Sequence, residues 1–335
     1  MIDTVTASAP FLKVENLKMH FPVRKGFFAR TVGLVKAVDD VSFEVQKGKT
    51  FGLVGESGCG KTTTGKCVLR AVVPTSGKII YDGVDIAGLS HGKLKKYRRD
   101  LQLIFQDPYS SLDPRQSVAS MLKEAITADK EPHVASEVRD RVEELLVLVG
   151  LQPEMKSRYP HELSGGQRQR LGVARALACD PKFIVCDEPV SALDVSIQAQ
   201  IINLFMELQK SLNLTYVFVA HDLAVVRHIA DRIGVMYLGR LVEVMDSKDL
   251  YNNTIHPYSQ ALLSAVPTTD YYEEKKRVRI VLEGEVPSPI NAPSGCLFHP
   301  RCAYANDTCR QSIPPLIEFS PGHWVACHEE HKAAI

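Results

Sequence analysis

The chain has 335 residues, which is long enough for a sizeable buried core and for more than one domain. Lysine and arginine total 40 and aspartate and glutamate 39, so a formal net charge of +1 gives no support for wholesale binding to nucleic acid. No apolar run approaches the roughly 18 to 20 residues that span a bilayer, and the start, MIDTVTASAP, lacks the features of a secretory signal. We therefore expect a cytosolic protein that reaches any membrane through a partner.

The first quarter of the chain is predicted to contain two strands, a strand–loop–helix unit and a hairpin. Alternating apolar residues indicate the strands, whereas proline and glycine between them are typical of a loop. The hairpin is expected around Asp82 and Gly83, because an Asp-Gly pair favours a tight turn. In chain order the predicted segments are a loose tail (1–10), a strand (11–21), a loop (22–34), a strand (36–48), the strand–loop–helix unit (49–72) and the hairpin (76–86).

The rest of the chain alternates helical and strand-like segments. An amphipathic stretch, 135–151, predicts a helix that stops near Gly150, within a mid-region that is expected to be mainly helical. Two apolar runs, 182–189 and 214–222, are typical of buried parallel strands, and the segment between them, 197–212, has a helical pattern. This alternation favours an α/β core, and the Pro, Tyr and turn residues that accumulate after about residue 250 indicate a smaller appended region.

The segment GESGCGKT fits the phosphate-binding pattern G-x-x-x-x-G-K-[ST], with a strand-like run before it and a helical pattern after it. Glycines let backbone N–H groups converge on phosphate oxygens, and the start of the following helix adds positive dipole. Lys61 would place its charge on the β- and γ-phosphates, and the Thr62 hydroxyl would ligate Mg²⁺. The predicted ATP contacts here are Gly55, Glu56, Ser57, Gly58, Cys59, Gly60, Lys61, Thr62 and Thr63.

Two carboxylates end the apolar run FIVC. Asp187 is placed to hold Mg²⁺, directly or through water. Glu188 follows it and is interpreted as the general base, or at least as the group that orients the water attacking the γ-phosphate. His221 lies at the end of the second apolar run, where it is predicted to contact the γ-phosphate.

The segment LSGGQRQRLGVARALA (163–178) places two glycines at the start of a basic, helix-prone sequence. Inside a helix each glycine would cost about 1 kcal/mol relative to alanine, so we expect the glycines to precede the helix, with Ser164 as its N-cap. A helix start with exposed N–H groups binds anions. Since the phosphate loop already cradles one nucleotide, a second anion site becomes useful if it meets the γ-phosphate held by another subunit.

The motifs GESGCGKT, FQDP, LSGGQ, CDEP, SALD and AHD, in this order, resemble those of the ATP-binding cassette ATPases, the nucleotide-binding subunits of ABC transporters. The resemblance covers residues 11 to about 250. It implies an α/β P-loop cassette with a parallel-sheet core, N-terminal antiparallel strands and an inserted helical subdomain. It also implies a head-to-tail dimer with ATP between the phosphate loop of one subunit and the LSGGQ segment of the other. The residues of that segment expected at ATP are Ser164, Gly165, Gly166 and Gln167.

The resemblance assigns further roles. Gln106 matches a glutamine that touches Mg²⁺ or the attacking water and links to the transmembrane partner. The stretch from Ser191 to Asp194 matches a loop that crosses the dimer interface, with Asp194 expected at ATP. An aromatic residue stacks on adenine in this family, which points to Phe21, with Phe27 or Phe28 as alternatives. The implied catalytic set is Lys61, Gln106, Glu188 and His221, and the implied Mg²⁺ ligands are Thr62, Gln106 and Asp187.

The tail segments HPYSQALLSAVP, EGEVPSPINAPSGCLFHPRC and ACH resemble the C-terminal extension of oligopeptide/dipeptide permease ATPases, which also occurs in relatives that handle nickel or other small solutes. Four cysteines with the spacing C-x5-C-x6-C-x17-C can hold Zn²⁺ or a [4Fe–4S] cluster, and in this branch they look like cluster ligands. Zinc and the absence of any metal stay open as alternatives. The cysteines are Cys296, Cys302, Cys309 and Cys327, with His299, His323 and His328 as spare candidates.

The sequence therefore predicts the ATPase subunit of a peptide importer on the cytoplasmic face of the membrane. The expected partners are a second ATPase subunit, by the resemblance a paralogue, two transmembrane permease subunits and an extracytoplasmic solute-binding protein. Import of nickel or another small solute, a soluble cassette outside transport and a regulatory cassette with little hydrolysis are the alternatives. The expected division is a tail (1–10), the cassette core (11–95 and 166–250), a helical subdomain (96–165) and the C-terminal extension (251–335).

Overall fold

A computed structural model describes five stretches of the chain, residues 9–26, 30–107, 112–128, 132–266 and 279–329. Most of the expected N-terminal tail lies outside them. The chain divides into two compact units. Unit 1 contains the residues up to Gln46, Thr50–Gly88 and the residues from Val219 onward; unit 2 contains Lys47–Lys49 and Leu89–Phe218.

Unit 1 contains a four-stranded antiparallel sheet in the order β2-β1-β4-β5. Its strands are β1 (Leu12–Lys25), β2 (Arg30–Val45), β4 (Ser76–Tyr81) and β5 (Val84–Asp85). The predicted hairpin at Asp82 and Gly83 is confirmed. The prediction of a loop at 22–34 is wrong, because β1 and β2 extend through most of this segment as one long hairpin, in which Val23 pairs with Gly33. Cross-strand pairing of Phe and Val residues outweighs the local loop preference of proline and glycine there.

A second set of strands in unit 1 has the order β11-β12-β10-β9-β3. Its strands are β3 (Thr50–Val54), β9 (Arg232–Tyr237), β10 (Arg240–Asp246), β11 (Ile317–Ser320) and β12 (His323–Val325). Strands β3 and β9 are parallel and the pairs farther out are antiparallel. The helices of the unit are α1 (Lys61–Val68), α7 (Leu223–Ile229), α8 (Pro257–Ser264) and α9 (Asp307–Gln311), with 3₁₀ turns at Ser247–Asp249 and His299–Arg301.

Unit 2 contains parallel strands β6 and β7, with the start of β8 beside β7. These are β6 (Leu101–Ile104), β7 (Phe183–Asp187) and β8 (Thr215–Ala220), whose last two residues belong to unit 1. The helices are α2 (His91–Leu94), α3 (Val118–Ile126), α4 (Ala135–Leu148), α5 (Gly165–Leu177) and α6 (Val195–Leu212). Short 3₁₀ turns lie at Lys95–Tyr97, Pro153–Ser157 and Pro160–Glu162. The mid-region is mainly helical as predicted, but it also contains β6, which the sequence analysis missed.

The amphipathic helix α4 shows how the apolar pattern builds the interior of unit 2. Gly150, with φ of 71°, follows the helix in the left-handed region that favours glycine and ends it as predicted. The apolar stripe faces inward, since its members Val138, Val142, Leu145, Leu146 and Val149 are all buried. Burial of such side chains contributes about 1.5 to 3 kcal/mol each.

The parallel pairs, one in each unit, together with the helices that follow β3 and β7, confirm an α/β fold. Both β3 and β7 are buried along their whole length, as strands covered on two faces are. None of the helices in the described stretches is long and apolar enough to cross a membrane.

Candidate nucleotide-binding site

The phosphate loop joins β3 to α1, as predicted, and its glycines are there for two different reasons. Gly55, Gly58 and Gly60 have φ of 152°, 79° and 109°, which side chains rarely tolerate. A Cβ at Gly55 would lie 2.2 Å from the carbonyl oxygen of Met236, and one at Gly60 would lie 2.0 Å from that of Ala37. A Cβ at Gly58 would meet open space. Gly58 is thus required by conformation alone, whereas the other two are required by conformation and by close backbone approach.

Lys61 is the first residue of α1 and is buried. Its Nζ donates to the carbonyl oxygens of Gly55 at 2.8 Å and of Glu56 at 3.0 Å. The charge is therefore held at the centre of the loop, where a phosphate group would meet it. The N-cap of α1 is Gly60, which has no side chain to cover the helix start. Backbone N–H groups and a lysine at one helix N-terminus form an anion site.

Three other loop positions have distinct surroundings. Ser57 is exposed, and Thr62 and Thr63 are half-buried at the start of α1. The Cys59 thiol is buried, and burial raises its pKa, an effect that nearby Lys61 only partly offsets. A thiol with a raised pKa is a poor nucleophile at neutral pH, so Cys59 packs the loop and is not a reactive group.

Glu56 is held at both its backbone and its side chain by residues from the C-terminal part of unit 1. Its amide donates to the hydroxyl of Tyr258 at 2.8 Å. Its carboxylate accepts from both terminal nitrogens of Arg301, at 2.7 and 3.1 Å. The sequence analysis missed both partners, because they follow Glu56 by 202 and 245 positions and no spacing rule connects them.

Glu188 follows β7 in a strained conformation. Its φ of 45° lies in the left-handed region, which costs a residue with a side chain about 1 to 3 kcal/mol and which clusters at functional sites. Gln106 Nε2 donates to Glu188 Oε2 at 2.9 Å, so the structure brings these two predicted residues together. The amide and hydroxyl of Ser191 both donate to the Glu188 carbonyl oxygen, at 3.2 and 3.1 Å. Asp187, the last residue of β7, is buried.

The LSGGQ segment begins α5, and Ser164 is its N-cap as predicted. Ser164 Oγ accepts from the Gln167 amide at 3.3 Å, and Gln167 Oε1 accepts from the Ser164 amide at 2.9 Å, a reciprocal capping box. The expectation that both glycines precede the helix is wrong, since Gly165 and Gly166 form its first two positions. Glycine costs little helix stability in the first turn. Backbone N–H groups that no side chain covers are an advantage there for binding an anion.

Each of the remaining predicted residues has different surroundings. Asp194 is the N-cap of α6 and accepts from the Ile197 amide at 3.0 Å, a bond that lowers the pKa of Asp194. His221 is exposed directly after β8. Phe21 lies on β1 and is 38% exposed, as a stacking platform has to be, while Phe27 and Phe28 lie outside the described residues.

The four C-terminal cysteines are unbridged and line one small cavity. His299 and His328 line it too, whereas His323 is bonded to the buried carboxylate of Glu243 at 2.8 Å. Burial raises the pKa of the Cys296 thiol to about 11. Within the described residues, no three His, Cys, Asp or Glu side chains have the arrangement of a site for a metal ion. The cavity-lining thiols are Cys296, Cys302, Cys309 and Cys327.

The chain matches known protein families and known individual proteins. Residues 38–191 match the family described as ABC transporter, and residues 242–309 match that described as oligopeptide/dipeptide transporter, C-terminal region. The oligopeptide transport ATP-binding protein AppF of Bacillus subtilis is 53% identical over 97% of this chain and 99% of its own length. A probable peptide ABC transporter ATP-binding protein of Sinorhizobium fredii, y4tS, is 51% identical over 98% of this chain and 92% of its own.

Solved structures give the same result for the fold. The dimeric structure of MJ0796, a bacterial ABC transporter cassette, superposes with a TM-score of 0.63 at 27% identity, covering 70% of this chain and 98% of that one. CbiO1 of Clostridium perfringens, part of an ABC transporter complex, gives a TM-score of 0.62 at 28% identity, covering 72% of this chain and 90% of its own. The α/β cassette fold expected from the motifs is thereby confirmed.

Proposed function

The chain belongs to the ATP-binding subunits of ABC transporters, and from that membership we propose that it powers peptide import by binding and hydrolysing ATP. The observation that carries the proposal is the joint match to the cassette and to the oligopeptide/dipeptide C-terminal region in one chain. Full-length similarity to proteins named for oligopeptide and peptide transport supports the peptide as cargo. Nickel or another small solute is the second candidate, because the same C-terminal extension resembles that of importers for such cargo.

ATP binding is assigned to the phosphate loop. Its backbone N–H groups and Lys61 face the phosphate oxygens, and Phe21 stacks on the adenine. Mg²⁺, when bound, neutralises charge that develops on the phosphates. Oxygen donors suit this ion, and a buried carboxylate on a strand end fits the requirement. The residues that would hold it are Thr62, Gln106 and Asp187.

Hydrolysis is assigned to Glu188, which orients the attacking water and accepts its proton. The bond from Gln106 supports this role, because it fixes the carboxylate in one direction. His221 contacts the γ-phosphate. In a head-to-tail dimer, the α5 start of the neighbouring subunit (Ser164 to Gln167) supplies N–H groups to the same phosphate, and Asp194 lies at the shared face. Neither subunit then hydrolyses ATP alone.

The proposed assembly contains this chain, a paralogous ATPase, two transmembrane permeases and an extracytoplasmic solute-binding protein, with the ATPases on the cytoplasmic face. The helical region 96–165 contacts the permeases, and the region 251–335 is an appended extension. Purification of the intact complex from membranes, with mass identification of each subunit, tests this. Co-purified integral membrane subunits and peptide-stimulated ATPase activity are expected. Isolation with RNA, DNA or ribosomes, or with no hydrolysis in the complete complex, would exclude this function.

A [4Fe–4S] cluster is proposed for the four C-terminal cysteines. The four side chains line one cavity, and four cysteine thiolates are the ligand set that such a cluster takes. Iron and acid-labile sulfide at about four each per chain are expected on anaerobic purification. Zinc at one per chain, or neither metal, would contradict the cluster.

A further inference from the structure

Arg301 forms a two-point ion pair with Glu56, the second residue of the phosphate loop. Both terminal nitrogens of Arg301 donate to the carboxylate, at 2.7 and 3.1 Å. The Arg301 side chain is only 7% exposed and that of Glu56 is 27% exposed. Two parallel charge-assisted bonds, largely removed from water, are among the stronger polar contacts in proteins and fix the orientation of both groups.

Glu56 is also the link between this ion pair and Lys61. Its carbonyl oxygen accepts from Lys61 Nζ at 3.0 Å, and its amide donates to Tyr258 at 2.8 Å. Backbone and side chain of one loop residue are thus each tied to a different part of unit 1. A change in the position of Glu56 would move the carbonyl oxygen that orients the phosphate-binding lysine.

An aromatic cluster supports the arginine from the other side. The rings of Tyr237, Tyr258 and Phe298 lie 4.7 to 5.4 Å apart by their centroids. Burial raises the pKa of Tyr237, and the guanidinium of Arg301 beside it offsets part of that effect. The cluster packs β9 and α8 against the segment that carries Arg301, so the arginine is presented by a rigid surface.

The backbone of that segment is fixed at both ends by cysteines of the four-cysteine cavity. Arg301 ends a 3₁₀ turn and is followed directly by Cys302, whose amide donates to the His299 carbonyl oxygen at 3.3 Å. At the other end, the Cys296 amide donates to the Cys309 carbonyl oxygen at 2.8 Å. The position of Arg301 is therefore a property of the loop that these cysteines hold.

The ion pair also answers an electrostatic problem. If the loop binds a triphosphate, as proposed above, a carboxylate in its second position repels the ligand. A guanidinium hydrogen-bonded to that carboxylate offsets the repulsion.

We propose that Arg301 is a positioning residue of the phosphate loop, where it neutralises and orients Glu56, and that changes in the four-cysteine site alter ATP binding through Arg301. The C-terminal extension is then a regulator of ATP affinity and not only an appended domain. The first half of the proposal is independent of any metal. The second half rests on the cluster proposed above.

The test of the first half is Arg301→Met in the full chain within its complex. We expect the KM for ATP to rise about tenfold with kcat changed less than twofold, because a smaller fraction of loops is competent to bind. Hydrogen exchange at the amides of residues 55–62 should accelerate. Arg301→Lys should recover part of the affinity. The matched control is Arg310→Met, which removes an exposed arginine–carboxylate pair with Asp307 from the same extension and should change neither quantity.

A double variant separates positioning from general stability. Glu56→Gln removes the carboxylate that Arg301 neutralises, so Glu56→Gln with Arg301→Met should bind ATP more tightly than Arg301→Met alone. Equal KM and equal loop exchange in Arg301→Met and wild type would overturn the proposal. Losses that simply add in the double variant would overturn it too. If Arg301→Met does not fold, the same comparison is made with Arg301→Lys, whose unchanged KM would also count against the proposal.

The second half is tested with Cys302→Ser in the wild-type and Arg301→Met backgrounds, with bound iron measured in each preparation. Loss of metal in Cys302→Ser should raise KM and loop exchange in the wild-type background and add nothing in the Arg301→Met background. Effects that add across the two backgrounds would refute coupling through Arg301. Wild-type protein that holds zinc in place of iron, or neither metal, would refute the cluster and the second half with it, and would leave the Arg301 result as the measure of the first.

Discussion

Two helices of this protein begin with glycine-rich sequences of similar appearance, and they are stabilised in different ways. At α1, Gly60 has φ of 109° and no side chain caps the helix. At α5, Gly165 and Gly166 are ordinary helical residues, and Ser164 closes a capping box with its near neighbour Gln167. The phosphate loop depends on backbone and side chains from distant parts of unit 1, whereas the LSGGQ segment (163–167), the signature segment below, builds its helix start from four consecutive residues.

The difference separates two requirements for binding an anion at a helix start. In its proposed role the phosphate loop surrounds its ligand, which needs unusual backbone angles and close packing against Ala37 and Met236. In its proposed role the signature segment only presents N–H groups to a ligand held elsewhere, which a well-capped, regular helix can do. Substitutions at the two helix starts should therefore have effects that differ in magnitude and in the property affected.

The largest effect is expected from a substitution that blocks hydrolysis and leaves both helix starts unchanged. Glu188→Gln should lower ATP hydrolysis by the complete complex about 100- to 1000-fold while retaining ATP binding, because the amide cannot take the proton of the attacking water. Single-turnover hydrolysis and equilibrium ATP binding, measured on the same preparation, check this. A variant that hydrolyses ATP at the wild-type rate would remove Glu188 from its assigned role.

The next largest effect is expected at the phosphate loop. Gly60→Ala should weaken ATP binding about 100-fold, because a Cβ would lie 2.0 Å from the Ala37 carbonyl oxygen at a φ that alanine avoids. Isothermal titration with ATP is the measurement. Gly88→Ala is the matched control, since a Cβ there meets open space and Gly88 lies outside the loop, and it should bind ATP normally.

A smaller effect is expected at the signature segment. A Cβ at Gly166 would lie 2.7 Å from Cγ2 of Ile197, a side-chain atom and not a backbone oxygen as at Gly60. Gly166→Ala should therefore fold and bind ATP with wild-type affinity, yet lower hydrolysis by the complex about tenfold by crowding the N–H groups that we propose serve the neighbouring subunit. Loss of ATP affinity as large as that of Gly60→Ala would contradict the distinction between the two helix starts.

Removal of the N-cap of α5 should have a smaller effect. Ser164→Ala deletes the side-chain half of the capping box and should destabilise unit 2 by about 1 kcal/mol. Ser164→Asp keeps an acceptor and should restore stability, while its negative charge should still impair hydrolysis if a phosphate approaches this point. Thermal unfolding and hydrolysis rates of the two variants together separate the structural role of Ser164 from its proposed contact with ATP.

The smallest effect concerns the cap of α6 and its dependence on pH. The Ile197 amide and the Ser196 hydroxyl hold the pKa of Asp194 below that of an ordinary aspartate. A carboxyl with a lower pKa in the folded state stabilises the fold at pH values above the pKa of the unfolded chain and loses that contribution as the pH falls through the folded value. The protection factor of the Ile197 amide, its slowing of exchange relative to the intrinsic rate at the same pH, should fall in acid, and Asp194→Asn should remove that step. A wild-type protection factor that does not change with pH would contradict this role of Asp194.

Local patterns were enough to locate most of the candidate site. The strand–loop–helix form of the phosphate loop, the acids at the end of β7, the Ser164 cap and the helix ending before Gly150 were all predicted correctly, because each is encoded within about ten consecutive residues. The errors occurred where longer-range pairing decides. The hairpin that runs through the expected loop depends on the opposite strand, and β6 depends on its parallel partner β7.

The amino-acid sequence by itself determined the family, the cassette fold and the positions of the motifs from which the ATP contacts are proposed, because motif chemistry and short-range backbone preferences depend on neighbouring positions. The tertiary structure alone decided which groups support those residues. Arg301 and Tyr258 meet Glu56 from more than 200 residues away, Gln106 meets Glu188 across 82, and Glu188 takes a strained φ. Such contacts arise from the packing of distant segments around a common core, and no local pattern records which segments will meet.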